Sequence, residues 1–512
     1  MSTMLQKVLS LWGPAGPAGV SHGFHADDTK PDYPTAVAGN PFVEGLYADP
    51  DTAIYDGEYW VFATTSTDYE KQTYMDAFSS PDLINWTKHH NVLTLDNVKW
   101  ATKALWAPAP IARNGKYYIY FGANDIQEDE DQDGLIGGIG VAVADHPGGP
   151  YKDAIGVPLI GHYHHGAQPI DQGVFIDDKD GQAYIYYGGH GHANVAKLNN
   201  DMVSIGTFDN GTQFKEITPE NYVEGSLMIK RNGIYYFMWS EGGWQGPDYS
   251  VSYAMSESPI GPFKRQDKIL QQDSAVAKGS GHHGIINVPG TDIWYIVYHR
   301  RPLSESDGNH RVLAYDRMFF NANDTIVPVR MLVQDNFADG NMIAWKTYGC
   351  DWFVVEERLT ASNSSTGLAM LDTNFESLSF EATVNLSKSN ASDAEAGVIF
   401  RAELQDDAGS FQGYFAGVTA SGDIVLTYSH ALNGTDVLAR NSTEILHLGH
   451  EHRLRVTGTG NSIQIFLGDS KTPKIDTQVP DGYRSSGANG VRVYKAAAKF
   501  GSISITRLGD GL

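Results

Sequence analysis

Five times along this chain a polar residue precedes a turn and then an aromatic strand at nearly the same distance. The aromatic segments are Glu58-Tyr59-Trp60-Val61-Phe62, Lys116-Tyr117-Tyr118-Ile119-Tyr120, Ala183-Tyr184-Ile185-Tyr186-Tyr187, Ile234-Tyr235-Tyr236-Phe237-Met238 and Ile293-Trp294-Tyr295-Ile296-Val297. Ahead of each stands a turn signal: Asp56-Gly57, Asn114-Gly115, Asp180-Gly181, Asn232-Gly233 or Pro289-Gly290. About eight to ten residues before those glycines sit Asp49, Trp106, Asp171, Glu224 and the pair His282-His283. A recurrence of about 50 to 67 residues, each unit with its own hairpin, is the mark of a propeller or array. Five hairpin sheets set radially would aim the five polar positions at one central channel.

Each unit runs on into a strand of small and β-branched residues, such as Gly140-Val141-Ala142-Val143-Ala144 or Ser252-Tyr253-Ala254-Met255-Ser256. Alternation, aromatic enrichment and the lack of a long helical period make the region all-β. A five-bladed β-propeller is expected over residues 40–330. From Leu332 the pattern changes to short strands at sandwich spacing, among them Ser379–Val384, Ala396–Arg401, Tyr414–Val418, His452–Val456 and a closing Gly501–Ile505. Residues 331–512 therefore read as a second all-β domain, a jelly-roll β-sandwich. Residues 1–39, rich in Gly, Pro, Ala and Asp, read as an N-terminal arm.

A formal net charge of −24 disfavours nucleic acid or an anionic membrane surface as partner, whereas uncharged polysaccharide carries no such penalty. No apolar run reaches the length of a membrane span. The single cysteine, Cys350, excludes an intrachain disulfide framework. Eight Asn-x-Ser/Thr sequons exceed the about four expected by chance and hint at a secreted chain, although Met1–Val20 makes a poor secretory leader. A secreted monomer is expected.

Three of the five equivalent positions carry carboxylates: Asp49, Asp171 and Glu224. Glycoside hydrolysis needs one carboxyl as general acid and a second as base or nucleophile, with the pKa of the acid raised by its surroundings. A third carboxylate close by raises it electrostatically, because like charges resist simultaneous ionisation. A non-catalytic polysaccharide-binding propeller would explain the fold but leave these three groups without a task.

Tyr47-Ala48-Asp49-Pro50, Trp106-Ala107-Pro108, Ile170-Asp171 with Phe175-Ile176-Asp177-Asp178, Val223-Glu224-Gly225, Ser79–Trp86 and Gly281-His282-His283 together resemble glycoside hydrolase family 43. The resemblance covers about residues 40–330. It implies a five-bladed propeller that cleaves arabinose or xylose linkages with inversion at the anomeric carbon. Position by position it implies that Asp49 is the general base, Asp171 the pKa modulator and orienting residue, and Glu224 the general acid. Inversion would hold acid and base about 6.5–9.5 Å apart to leave room for a water. Trp106 would offer a flat apolar face to the sugar, and Arg311 matches a position where the family often places a pocket arginine. The family's channel histidine, which often touches a hydrated calcium, falls on His282 or His283; alignment to the segment's end selects His283.

Other clusters are weaker. The histidines at 162, 164, 165, 190 and 192 lack a zinc spacing such as His-Glu-x-x-His. Asp129-x-Asp131-x-Asp133-Gly134 imitates half of an EF-hand loop, but Gly140 stands where the bidentate glutamate belongs. No cofactor is required for the chemistry, and a structural calcium is allowed.

The expected activity is an inverting, exo-acting α-L-arabinofuranosidase that removes arabinose side chains from plant cell-wall arabinoxylan or arabinan, with β-xylosidase as the rival on the same scaffold. The sandwich resembles concanavalin-like modules appended to glycosidases and is expected to buttress the propeller.

Overall fold

The computed structural model describes residues 39–131, 136–387, 389, 391–442 and 446–508. All but the last residue of the expected N-terminal arm, and residues 132–135 of the acidic run, lie outside them. The described chain is nearly all β, as its periodicity implies.

The five repeats are five separate antiparallel sheets, four with four strands and the last with three. Their inner strands are Tyr47–Tyr55, Trp106–Arg113, Gly173–Ile176, Glu224–Arg231 and Lys278–Asn287. The aromatic segments form the second strands, Glu58–Thr65, Lys116–Ala123, Ala183–Tyr187, Ile234–Glu241 and Trp294–Arg301. These are apolar at successive positions because both faces of a blade are covered. Trp60 and Phe62 pack with Ile119 and Phe121 of the second blade. Val61 and Ala63 turn the other way, onto Ile286, Val297 and Leu313 of the fifth. Each such large side chain contributes about 1.5–3 kcal/mol by leaving water.

A side chain helps to close the ring. Asn40 donates from Nδ2 to the Tyr315 carbonyl at 2.9 Å, and its Oδ1 accepts the Tyr315 amide at 3.1 Å. Asn40 thus makes a strand-like pair of bonds with the third strand of the fifth blade, Val312–Met318. The Tyr47 amide also reaches the Arg311 carbonyl at 2.9 Å.

The inner strands share a device that the repeat did not reveal. Near its channel end the inner segment of every blade contains a left-handed residue: Asp49, Ala107, Asp171, Gly225 and His282, with φ of 49°, 44°, 53°, 74° and 38°. In four blades the register with the second strand slips there, as at a β-bulge. The amides of three of these residues are caught by the preceding blade. Ala107 donates to Thr64 Oγ1 at 2.7 Å, His282 to Ser240 Oγ at 3.0 Å and Asp49 to His299 Nδ1 at 3.1 Å. Thr64, Ser240 and His299 occupy equivalent places, each opposite the residue just before the bulge.

The sandwich begins with Val333–Asp335 and forms one 13-stranded antiparallel sheet bent upon itself. Two long strands, Arg358–Phe375 and Gly487–Thr506, run through the bend and pair with each other. Sandwich and propeller share a continuous core, in which Tyr236, Tyr253, Ile296 and Tyr298 join Phe337, Trp345, Trp352 and Phe375. Asp372 Oδ2 accepts the Ser304 amide and hydroxyl at 2.9 and 2.8 Å, stitching the two together.

Candidate active site

The bulges bring Asp49, Asp171 and Glu224 to one cavity of about 290 Å³, lined also by Tyr69, Gln72, Trp106, Asp125, Gln127, Gln168, Ile170, His190, Trp244 and Arg311. Asp49 and Asp171 are themselves the left-handed residues of their blades, a conformation that aspartate tolerates better than most. Glu224 and Trp106 stand one place earlier, with Gly225 and Ala107 taking the left-handed backbone. A Cβ on Gly225 would lie 2.6 Å from Ser240 Oγ, so the glycine is required twice over.

His282 ties two of the carboxylates together. Its Nδ1 lies 3.5 Å from Asp49 Oδ1 and 3.4 Å from Asp171 Oδ2. Burial pushes the imidazole down, but the charge and hydrogen bond of Asp171, followed by the charge of Asp49, outweigh that and hold its pKa up to about 9. It is an imidazolium at neutral pH.

Arg311 approaches Asp49 from elsewhere, Nη1 to Oδ1 at 3.4 Å, and is fixed by its Nε bond to Ser66 Oγ at 3.0 Å. Its guanidinium lies 5.0 Å from the centre of the Trp244 ring, a cation–π contact. His299 completes the support. Its Nδ1 accepts the Asp49 amide, so its proton sits on Nε2 and the ring is neutral. Burial first, then the charges of Arg311 and His282, keep it so. The 3.5 Å approach of the same nitrogen to Asp49 Oδ1 is therefore no ion pair.

Glu224 differs from the other two. Loss of water around its carboxyl, followed by the charge of Asp171, raises its pKa to about 8. One hydrogen bond opposes the rise: Tyr249 OH donates to Glu224 Oε1 at 2.9 Å. A protonated carboxyl beside carboxylates is what an acid–base pair of the glycosidase kind requires.

The pocket wall is aromatic on one side and polar on another. The Trp106 indole Nε1 donates to Gln72 Oε1 and its ring meets Tyr69 edge-on, centroids 4.8 Å apart, with Trp244 6.3 Å beyond Tyr69. Burial raises the pKa of Asp125 on the polar side.

Asp49, Asp171, Glu224, Trp106 and Arg311 thus all reach one pocket. His283 does not line it. It is buried, with Nε2 3.4 Å from Met238 Sδ and Nδ1 without a partner. Burial and the neighbouring His282 charge lower its pKa to about 3, leaving a neutral donor. The described residues contain no group of three or more His, Cys, Asp or Glu able to hold a metal ion. Calcium takes six to eight oxygen ligands, so an ion at His283 would be held almost wholly through water. Tyr69, Asp125, Trp244, Tyr249 and His299 escaped the sequence reading, which named His282 but chose its neighbour His283 for the channel. The one usable signal was the glycine-rich Gly242-Gly243-Trp244-Gln245-Gly246 insert after the second strand of the fourth blade.

A propeller whose inner bulges gather three carboxyl groups in one small pocket, with an imidazole held against two of them, is a glycoside hydrolase scaffold. The chain belongs to glycosyl hydrolases family 43, whose family model matches residues 38–326. It is similar to the β-D-galactofuranosidase xynD of Aspergillus niger, 42% identical over 308 residues that cover 58% of this chain and 86% of that protein. It is 29% identical to an arabinoxylan arabinofuranohydrolase of Paenibacillus polymyxa over 52% of this chain, spanning about half (47%) of that relative's length. Among solved structures, an α-L-arabinofuranosidase from Clostridium thermocellum is 33% identical over 55% of this chain and 93% of its own, with a TM-score of 0.46. No helix of the described residues is long and apolar enough to cross a membrane.

Proposed function

We propose that the protein is an inverting, exo-acting furanosidase that removes terminal α-L-arabinofuranosyl side chains from arabinoxylan or arabinan. The observation that carries this reading is the single small pocket in which a raised Glu224 faces Asp49 and Asp171. A cavity of about 290 Å³ suits one sugar residue better than a chain, which favours an exo mode. In this reading Asp49 takes a proton from water as that water attacks the anomeric carbon. Glu224 gives its proton to the leaving oxygen as the glycosidic bond breaks. Asp171 keeps Glu224 protonated, and His282 and Arg311 hold Asp49 as the base. No step is assigned to a metal; a water-held structural calcium at His283 belongs to the proposal only as an occupant of the channel.

A second reading is favoured by the Aspergillus relative. A β-D-galactofuranosyl ring has the same ring configuration as an α-L-arabinofuranosyl ring and differs at the exocyclic carbon, so one pocket can serve both. β-Xylosidase is the third candidate, since the same three carboxylates serve either sugar. An extracellular site of action on plant cell-wall polysaccharide and a monomeric state go with the first reading.

The experiment is time-resolved proton NMR of the protein with arabinoxylan. Early β-arabinofuranose establishes an inverting arabinofuranosidase, xylose moves the assignment to xylosidase, and no release from arabinoxylan with turnover of an aryl galactofuranoside moves it to galactofuranosidase.

A further inference from the structure

Part of the pocket wall has no task in the proton transfers. Asp125 follows the second strand of the second blade and lines the same cavity as Asp49, Asp171 and Glu224. Its Oδ1 accepts from Gln127 Nε2 at 2.9 Å and from Gln168 Nε2 at 3.2 Å. Its Oδ2 accepts no hydrogen bond from any described residue. An acceptor with a fixed partner on one oxygen and none on the other is set up for a ligand hydroxyl.

The backbone beneath it is held at a conformational cost. Asn124 and Asp125 are consecutive left-handed residues, with φ of 72° and 50°. Asn124 keeps them there: its Nδ2 donates to the carbonyls of Trp100 at 3.0 Å and Ile136 at 2.7 Å, and its Oδ1 accepts the Thr102 amide at 2.8 Å. Tyr69 and Asp125 line the same cavity of about 290 Å³ as Asp49 and Glu224, a space of about one sugar residue.

Sugar chemistry says which hydroxyl such a wall can use. A pentofuranosyl residue carries a hydroxyl on an exocyclic carbon, and a hexofuranosyl residue carries two vicinal ones. A xylopyranosyl residue has its fifth carbon inside the ring and carries none. We propose that the free oxygen of Asp125 accepts the exocyclic hydroxyl of a furanosyl residue in the pocket, so that this carboxylate selects furanosides over xylopyranosides and admits galactofuranosyl as well as arabinofuranosyl groups. The assignment rests on the furanosidase reading above. A site built to bond a hydroxyl discriminates strongly against an analogue that lacks it, because its buried polar group is left unpaired.

The test is a cycle on the full-length chain, measuring kcat/KM for 4-nitrophenyl α-L-arabinofuranoside and its 5-deoxy analogue with the wild type and Asp125→Ala. The wild type is expected to lose about 10- to 100-fold on the deoxy sugar, the range for a hydrogen bond to a charged group. Asp125→Ala should lose a similar factor on the arabinofuranoside and nothing further on the deoxy analogue. Equal deoxy penalties in the two proteins, or no penalty in the wild type, overturn the assignment. Asp125→Leu, which fills a similar space without a hydrogen-bonding group, gives the same comparison if the alanine variant does not fold. If the wild type cleaves 4-nitrophenyl β-D-xylopyranoside and neither arabinofuranoside nor galactofuranoside, the furanosidase reading itself falls, an outcome distinct from a failed cycle.

Discussion

Tyr249 donates its phenolic hydrogen to Glu224 Oε1 at 2.9 Å, the one bond that restrains a carboxyl otherwise pushed towards neutrality. A hydrogen bond to the charged form lowers a pKa, and a neighbouring like charge raises it. The two influences on Glu224 can therefore be removed separately. If Glu224 is the acid, kcat/KM falls as pH rises through its pKa near 8. Tyr249→Phe should move that alkaline limb to higher pH. Asp171→Asn should move it to lower pH. A pH–rate profile for each variant reads the shift.

Glu224→Gln and Asp49→Asn should each cost about 10²–10⁴-fold on natural linkages, the usual range for a general acid or base. Aryl glycosides with good leaving groups distinguish them. Such substrates need little protonation, so they should recover much of the Glu224→Gln loss and none of the Asp49→Asn loss. Full activity of Glu224→Gln on arabinoxylan would reject the assigned acid.

His282 links the site to stability. Its folded pKa near 9 exceeds its ordinary value of 6.5, so its attraction to the carboxylates stabilises the fold fully below about pH 6.5. The benefit fades as pH rises through 9. His282→Gln should thus lower the melting temperature clearly at pH 6 and little at pH 10, in paired thermal scans at the two pH values.

Phe337 is fully buried in the core common to propeller and sandwich. Phe337→Ala should cost about 3–5 kcal/mol. Because that core is continuous, calorimetry should show one transition moved down as a whole. A separate, unshifted propeller transition would mean that the sandwich is an independent module.

The repeat was legible because a blade must cover both faces with aromatic and β-branched residues, and that demand recurs in the sequence. The three carboxylates were legible for the same reason, as polar exceptions at a fixed distance from each turn. The one-residue offset was not. Asp49 and Asp171 occupy the left-handed position whereas Glu224 precedes it, and only the slip in register reveals the difference. A single-residue shift also exchanges the faces of a strand, which is why His282, and not His283, reaches the carboxylates. Tyr69, Asp125 and Trp244 come from connections between strands, where no period exists to mark them.

The contact between Asp49 and Arg311 spans 262 positions of chain. Asp49 stands on the first blade and Arg311 beside the last, so a partly assembled ring lacks this contact. If Asp49 is the base, the fifth blade must leave the ribosome before the first is fully equipped. Activity is thereby a report on completed closure: a chain cut before residue 311 should be silent even with Asp49, Asp171 and Glu224 all present, and recovery of turnover during refolding should track the joining of the two ends rather than the growth of β-structure.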